Sequence, residues 1–90
     1  MKAREKRIEY SRRFQKNLRK ASPKIQQAFL RRRRIFREHP NHPLLNNHRL
    51  TGQYKGCRSI NVTGDWRAIY QETKKEIIFI DLGTHSQLYR

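Results

Sequence analysis

The sequence predicts an α+β fold: two N-terminal helices packed on one face of a small, twisted, mainly antiparallel sheet, in the order β-α-α-β-β-β. Three observations predict it. Two serine-led segments with apolar residues at helical spacing fill the first half of the chain. Short alternating apolar runs separated by turn residues fill the second half. The gaps between those runs are short, which implies antiparallel neighbours rather than crossovers. At 90 residues the chain is expected to be one domain, 1–90, with room for one modest core.

The elements follow in order. Arg7-Ile8-Glu9-Tyr10 alternates polar and apolar residues, which suits a short first strand. Ser11 is placed to cap a helix that runs through Lys20, with Phe14 and Leu18 at i and i+4 on one face. Ser22-Pro23 is a restart signal, serine at the N-cap and proline at the first helical position. The second helix is expected from Pro23 to about Glu38, with Ile25, Ala28, Phe29, Ile35 and Phe36 along its apolar stripe. Arg32 interrupts that stripe, so its stem is expected to cover the core edge while its charge reaches solvent. Pro40 ends the helix, because the residue before proline avoids the α region.

Residues 40–47 read as a polar connection. Strand-like runs follow at 50–55, 58–62, 67–71 and 77–81, and the order leaves room for one further strand. Gly56, Thr63-Gly64 and Thr73-Lys74-Lys75 supply the turns. Helices on one sheet face leave the opposite face, flanked by loops, free for function.

Composition narrows the partners. Twenty-two Lys and Arg against seven acids give a net charge of +15, a field that draws polyanions and acidic proteins. The longest apolar run, Ile77-Ile78-Phe79-Ile80, is far too short to span a membrane, and no membrane partner is expected. The basic N-terminus lacks an apolar stretch, so it does not read as a secretory signal. One cysteine, Cys57, cannot form an internal disulfide, which fits a reducing cytoplasm. His39 and His42 have an H-x-x-H spacing, but they flank a helix stop, and tetrahedral zinc needs four converging ligands. Asp65 and Asp81 are single acids rather than a magnesium cluster. Neither a metal nor a small-molecule cofactor is expected.

What remains is acid–base chemistry on a polyanion that carries its own nucleophile, the RNA 2′-OH. Such cleavage needs a base, an acid and cations around the phosphate. His48, His85 and Asp65 are the acid–base candidates. Lys55, Arg58 and Arg67 are candidate phosphate clamps, and Trp66 and Tyr89 are candidate stacking groups. Each has a structural alternative. His48 equally suits a plain loop, His85 and Asp65 suit strand-end and turn capping, and Trp66 suits the core. Arg58, Arg67 and the run from Arg31 to Arg34 suit solvated surfaces, although the run also broadens the positive field toward ribosomal RNA.

Four stretches then carry a family resemblance: His48-Arg49-Leu50, Tyr54-Lys55-Gly56-Cys57-Arg58, Gly64-Asp65-Trp66-Arg67-Ala68-Ile69-Tyr70 and Gly83-Thr84-His85-Ser86-Gln87-Leu88-Tyr89. In order and spacing the chain resembles the RelE/ParE superfamily of bacterial toxins, within it the YafQ-like branch of RelE/StbE-type mRNA interferases. The resemblance implies a RelE-like fold and a ribosome-dependent, metal-independent endoribonuclease that cuts mRNA in the ribosomal A site. It also implies a cytoplasmic protein neutralised by an acidic antitoxin. The branch's functional positions fall on His48, Asp65, Trp66, His85 and the terminal aromatic Tyr89. Arg67 matches the arginine that follows an aromatic in RelE, and catalytic roles are therefore expected for His48, Asp65, Arg67, His85 and Tyr89. RNA contacts are expected from Lys55, Arg58, Asn61 and Trp66. One departure stands out. The branch often carries a further histidine where this chain has Asn61, which hydrogen-bonds but cannot exchange a proton near neutrality. The superfamily also contains ParE-like toxins that block DNA gyrase, and a catalytically decayed module that only binds antitoxin is a third reading.

Overall fold

The computed structural model describes residues 3–89. A short 3-10 turn at Ala3–Glu5 leads into β1 (Arg7–Tyr10), followed by α1 (Arg12–Lys20) and α2 (Pro23–Glu38). Four strands complete the sheet: β2 (His48–Arg49), β3 (Arg58–Asn61), β4 (Trp66–Glu72) and β5 (Glu76–Thr84). One helical turn, α3 (His85–Leu88), follows directly. The sheet order is β1-β5-β4-β3-β2, with β1 parallel to β5 and every other pair antiparallel.

The helices start where their caps are. The Ser11 hydroxyl accepts the Phe14 N–H at 3.0 Å, and the Ser22 hydroxyl accepts the Ile25 N–H at 3.3 Å, with Pro23 in the first turn. Each bond satisfies an amide that the helix itself leaves without a partner. The helix stripes meet the sheet in an aromatic core. Phe79 lies at its centre, its ring 5.2 Å from Phe29, 5.5 Å from Phe14 and 5.8 Å from Tyr70. Ile60, Ala68, Ile77 and Leu82 complete this layer.

Four expectations need correction. The run 50–55 is not a strand. The strand lies earlier, at His48–Arg49, and Gly52–Tyr54 form a 3-10 turn. Gly52 and Gly56 take φ values of 66° and 90°, the left-handed region that glycine tolerates and a continuous strand does not. The last strand extends beyond 81 to Thr84, and a helical turn, not a further strand, follows it. Its signature was present, because Thr84 and Gln87 form a capping box. Arg32 carries its charge only partly out to solvent, since the half-exposed guanidinium also donates to the carbonyls of Leu44 and Asn61. The face opposite the helices is not bare either. Cys57, Ile69 and Leu88 form a second small cluster there, joined by Leu50, Tyr54, Ile80 and Tyr89.

A β-bulge shapes that second face. Ile69 pairs with Asp81 and Tyr70 with Phe79, so Ile80 is an extra residue on β5. Without it Asp81 would follow Phe79 at the usual two-residue interval and enter the aromatic core. The bulge turns Ile80 and Asp81 both toward the second face.

Candidate active site

Strand parity decides which candidates share a surface. Asn61 pairs with Arg67, and Arg67 with Gly83, across three adjacent strands. Their neighbours Ile60, Ala68 and Leu82 are buried under the helices, so this row faces the other way. His48 opposes Ser59, one position over on the same face of β3. Diagonal neighbours of this kind lie about 7–8 Å apart, within reach of a common substrate. The second face therefore gathers His48, Asn61 and Arg67.

α3 brings the remaining groups to that face. It folds back over Gly83, where an added Cβ would stand 3.1 Å from Gln87 Oε1 and 3.3 Å from Leu88 Cγ. Glycine leaves room for that approach, whereas a Cβ would make the Gln87 and Leu88 side chains yield by a few tenths of an ångström. The Thr84 hydroxyl accepts the Gln87 N–H at 3.3 Å, and Gln87 Oε1 accepts the Thr84 N–H at 2.9 Å. The cap fixes His85 at the first helical position with its ring exposed. The Tyr89 ring packs against it, with centroids 4.8 Å apart. The backbone N–H of His85 donates to the Asp65 carbonyl at 2.9 Å, which ties α3 to the β3–β4 loop. The Asp65 residue is exposed at the tip of that loop.

Arg67 holds the same loop from beneath. Its Nη1 donates to the carbonyls of Thr63, Gly64 and Trp66, each at 3.1 Å. Two other candidates carry buried polar atoms without hydrogen-bond partners among the described residues: Asn61 Oδ1 and the Tyr89 hydroxyl. Such buried orphan groups are uncommon and costly.

Three expected contacts lie elsewhere. Arg58 pairs with Tyr70, and its Nε donates to Asn47 Oδ1 at 2.8 Å on the helix-facing side. It is thus on the opposite face from Arg67. Trp66 packs against the main core and lines a cavity of about 670 Å³ between α1 and α3, beside Arg13, Tyr54 and Asp81. Lys55 is exposed beside the 3-10 turn. Two groups next to the site have no site role in the sequence analysis, although Tyr54 opens a family-matching stretch and Asp81 is weighed there as a metal ligand: the Tyr54 ring meets Tyr89 at 6.2 Å, and the Asp81 carboxylate accepts the Tyr54 hydroxyl at 2.8 Å. No local pattern marks either, because the bulge and the turn that join them depend on cross-strand register.

Among the described residues no three His, Cys, Asp or Glu side chains converge as metal ligands, and no helix is long and apolar enough to cross a membrane. The groups available for chemistry are imidazole, guanidinium, carboxylate and phenol on a strongly basic protein. A basic α+β fold with that set on one sheet face is the class expected of a small protein that acts on nucleic acid.

Comparison with known proteins supplies the family. The family described as bacterial toxin of type II toxin-antitoxin system, YafQ, matches residues 6–90. The chain belongs to that YafQ family of bacterial type II toxins. The mRNA interferase toxin YafQ of Escherichia coli strain K12 is 31% identical over 86 residues, covering 91% of this chain and 94% of that protein. The crystal structure of YafQ from Escherichia coli strain BL21(DE3) superposes with a TM-score of 0.81 at 27% identity, over 94% of this chain and 99% of that one. YafQ in the Escherichia coli DinJ–YafQ toxin–antitoxin complex superposes with a TM-score of 0.79 at 27% identity, over 96% and 99%.

Proposed function

We propose that this toxin is an endoribonuclease, an mRNA interferase that cleaves mRNA in the ribosomal A site through the RNA 2′-OH and without metal. The observation that carries the reading is the folding of α3 over Gly83, which sets His85 and Tyr89 on the same face as Arg67. Membership of the YafQ family and a relative named as an mRNA interferase support it.

Each group has a role in a 2′-OH mechanism. His85 is the principal acid–base residue, exposed to substrate and braced by the Tyr89 ring. His48, on the same face, is the second proton-transfer group. Asp65 assists His85 from the loop that its own carbonyl ties to α3. Arg67 offers a guanidinium to the phosphorane as negative charge builds. Tyr89 positions the base or the 2′-OH. Asn61 supplies a hydrogen bond to RNA but no proton. Lys55, exposed beside the 3-10 turn, is left to contact flanking RNA, whereas Arg58 and Trp66 lie on the helix-facing side, away from the Arg67 row, and support the sheet that carries the site. The reaction leaves a 2′,3′-cyclic phosphate. The positive field favours ribosomal RNA and, for control, an acidic antitoxin; the DinJ–YafQ complex is the precedent among relatives. The toxin then works in the cytoplasm.

Primer extension on a reporter mRNA after induction tests the reading, with wild type set against His85→Ala. In-frame cuts that vanish in the variant, with cyclic phosphate ends, are expected. Ends bearing 5′-phosphate and 3′-OH would overturn the mechanism. Growth arrest over intact mRNA would turn the reading toward gyrase.

A further inference from the structure

We propose that Tyr54 and the buried Asp81 form a positioning pair that sets the orientation of the Tyr89 and His85 rings and anchors them to α1. The catalytic consequence rests on the endoribonuclease reading; the geometry does not.

Asp81 is only 5% exposed. A carboxylate at that depth needs partners on both oxygens. Oδ1 accepts from Asn17 Nδ2 at 3.0 Å and from the Leu82 N–H at 2.9 Å. Oδ2 accepts the Tyr54 hydroxyl at 2.8 Å and lies 3.7 Å from Arg13 Nη1. Asp81 therefore joins α1, β5 and the Gly52–Tyr54 turn, and it can do so only because the bulge keeps it out of the aromatic core. The Tyr54 phenol is a firm donor. Burial first, then the Asp81 carboxylate, push its pKa up to about 12, so it stays a donor even above the pH at which a free phenol ionises.

The Tyr54 ring continues the chain of contacts. It meets Tyr89 edge to face, with centroids 6.2 Å apart and planes at 86°. Tyr89 in turn packs 4.8 Å from His85. The preceding residue braces the backbone of the same element, since Gln53 Nε2 donates to the Leu88 carbonyl at 2.9 Å. A single helical turn has almost no stability of its own. α3 and its two site rings take their positions from what they lean on, and on this side that is the Tyr54 turn. Tyr54 and Asp81 act on the reaction only through Tyr89 and His85.

The test compares the full-length wild type with Tyr54→Phe and Asn17→Ala. The first keeps the ring and removes the donor to Asp81; the second frees the far side of Asp81 and touches neither ring. Two readouts are taken: the NMR resonances of the His85 and Tyr89 rings, and cleavage kinetics on ribosome-bound mRNA. Both variants are expected to move the His85 and Tyr89 resonances while those of Phe29 and Phe36 stay in place. They are expected to lower kcat about 10-fold with KM held within about twofold. Unmoved His85 and Tyr89 resonances in both variants would overturn the proposal. So would core resonances that drift as much as the site rings, because that pattern reports general loosening. A wild type that fails to cleave RNA would overturn the endoribonuclease reading instead, and the ring resonances would still decide the positioning pair.

Discussion

Replacing Arg67 with alanine should cause two separable losses, one of stability and one of rate. Its Nη1 makes three contacts of 3.1 Å to the carbonyls of Thr63, Gly64 and Trp66. One nitrogen carries two protons, so these amount to two full hydrogen bonds at most. A bond from a charged donor contributes about 1.5–3 kcal/mol. Arg67 and the loop it holds are only partly buried, and solvent screening brings the expected total for Arg67→Ala down to about 2 kcal/mol. In a domain of this size that lowers Tm by about 8–16 °C. The rate loss is independent. Nε and Nη2 make no hydrogen bond among the described residues, so they are free to meet a phosphate. Losing one preorganised donor to developing charge costs about 10²–10³ in kcat. Arg67→Lys separates the two effects, since an ammonium can still hold the loop carbonyls but cannot offer the planar fork. It should melt within a few degrees of wild type yet cleave about 10-fold more slowly. Thermal melts by circular dichroism and single-turnover cleavage of ribosome-bound mRNA give the two readouts. Cleavage by Arg67→Ala within about threefold of wild type would refute the phosphate role. An unchanged melt would refute the loop clamp.

Three further predictions follow from particular contacts. Gly83→Ala should crowd α3, because the new Cβ would meet Gln87 Oε1 at 3.1 Å and Leu88 Cγ at 3.3 Å; a destabilisation of about 1 kcal/mol in urea, with slower cleavage, is expected. Lys6→Met should cost about 2 kcal/mol by urea unfolding while cleavage is kept, because the buried ammonium holds Glu72 at 2.7 Å and the Thr73 carbonyl at 2.8 Å at the other end of the sheet. Stability should fall as pH rises from 10 toward about 12: the unfolded Tyr54 phenol ionises first, while the folded one, its pKa raised by burial and by Asp81, stays protonated. Tyr70, raised mainly by burial, adds a loss in the same direction, and Tyr54→Phe should flatten the Tyr54 part of the curve measured by urea midpoints.

Local chemistry made much of this fold legible. Ser11, Ser22 and Pro23 announce their helices because capping acts within a single turn of chain. The alternation in β3, β4 and β5 announces strands because side chains point to opposite faces in turn. Where local cues competed, the reading failed. The apolar residues from Leu50 to Tyr54 suggested a strand, but Gly52 and Gly56 with positive φ make turns. The Thr84–Gln87 capping box was visible yet overshadowed by the strand before it.

Sequence alone determined the helices, most of the strands, the basic field and the inventory of groups able to work on RNA. Only the tertiary structure decided which of those groups meet. Arg58 and Arg67 look equivalent as strand arginines, yet cross-strand register puts one beside Tyr70 under the helices and the other beside Asn61 on the open face. A single extra residue, Ile80, turns Asp81 away from the phenylalanines and toward Tyr54. The bare backbone of Gly83 lets α3 carry His85 over the sheet. The physical reason is range: caps and alternation are settled between near neighbours, whereas register, bulges and close approaches are settled by the partner strand.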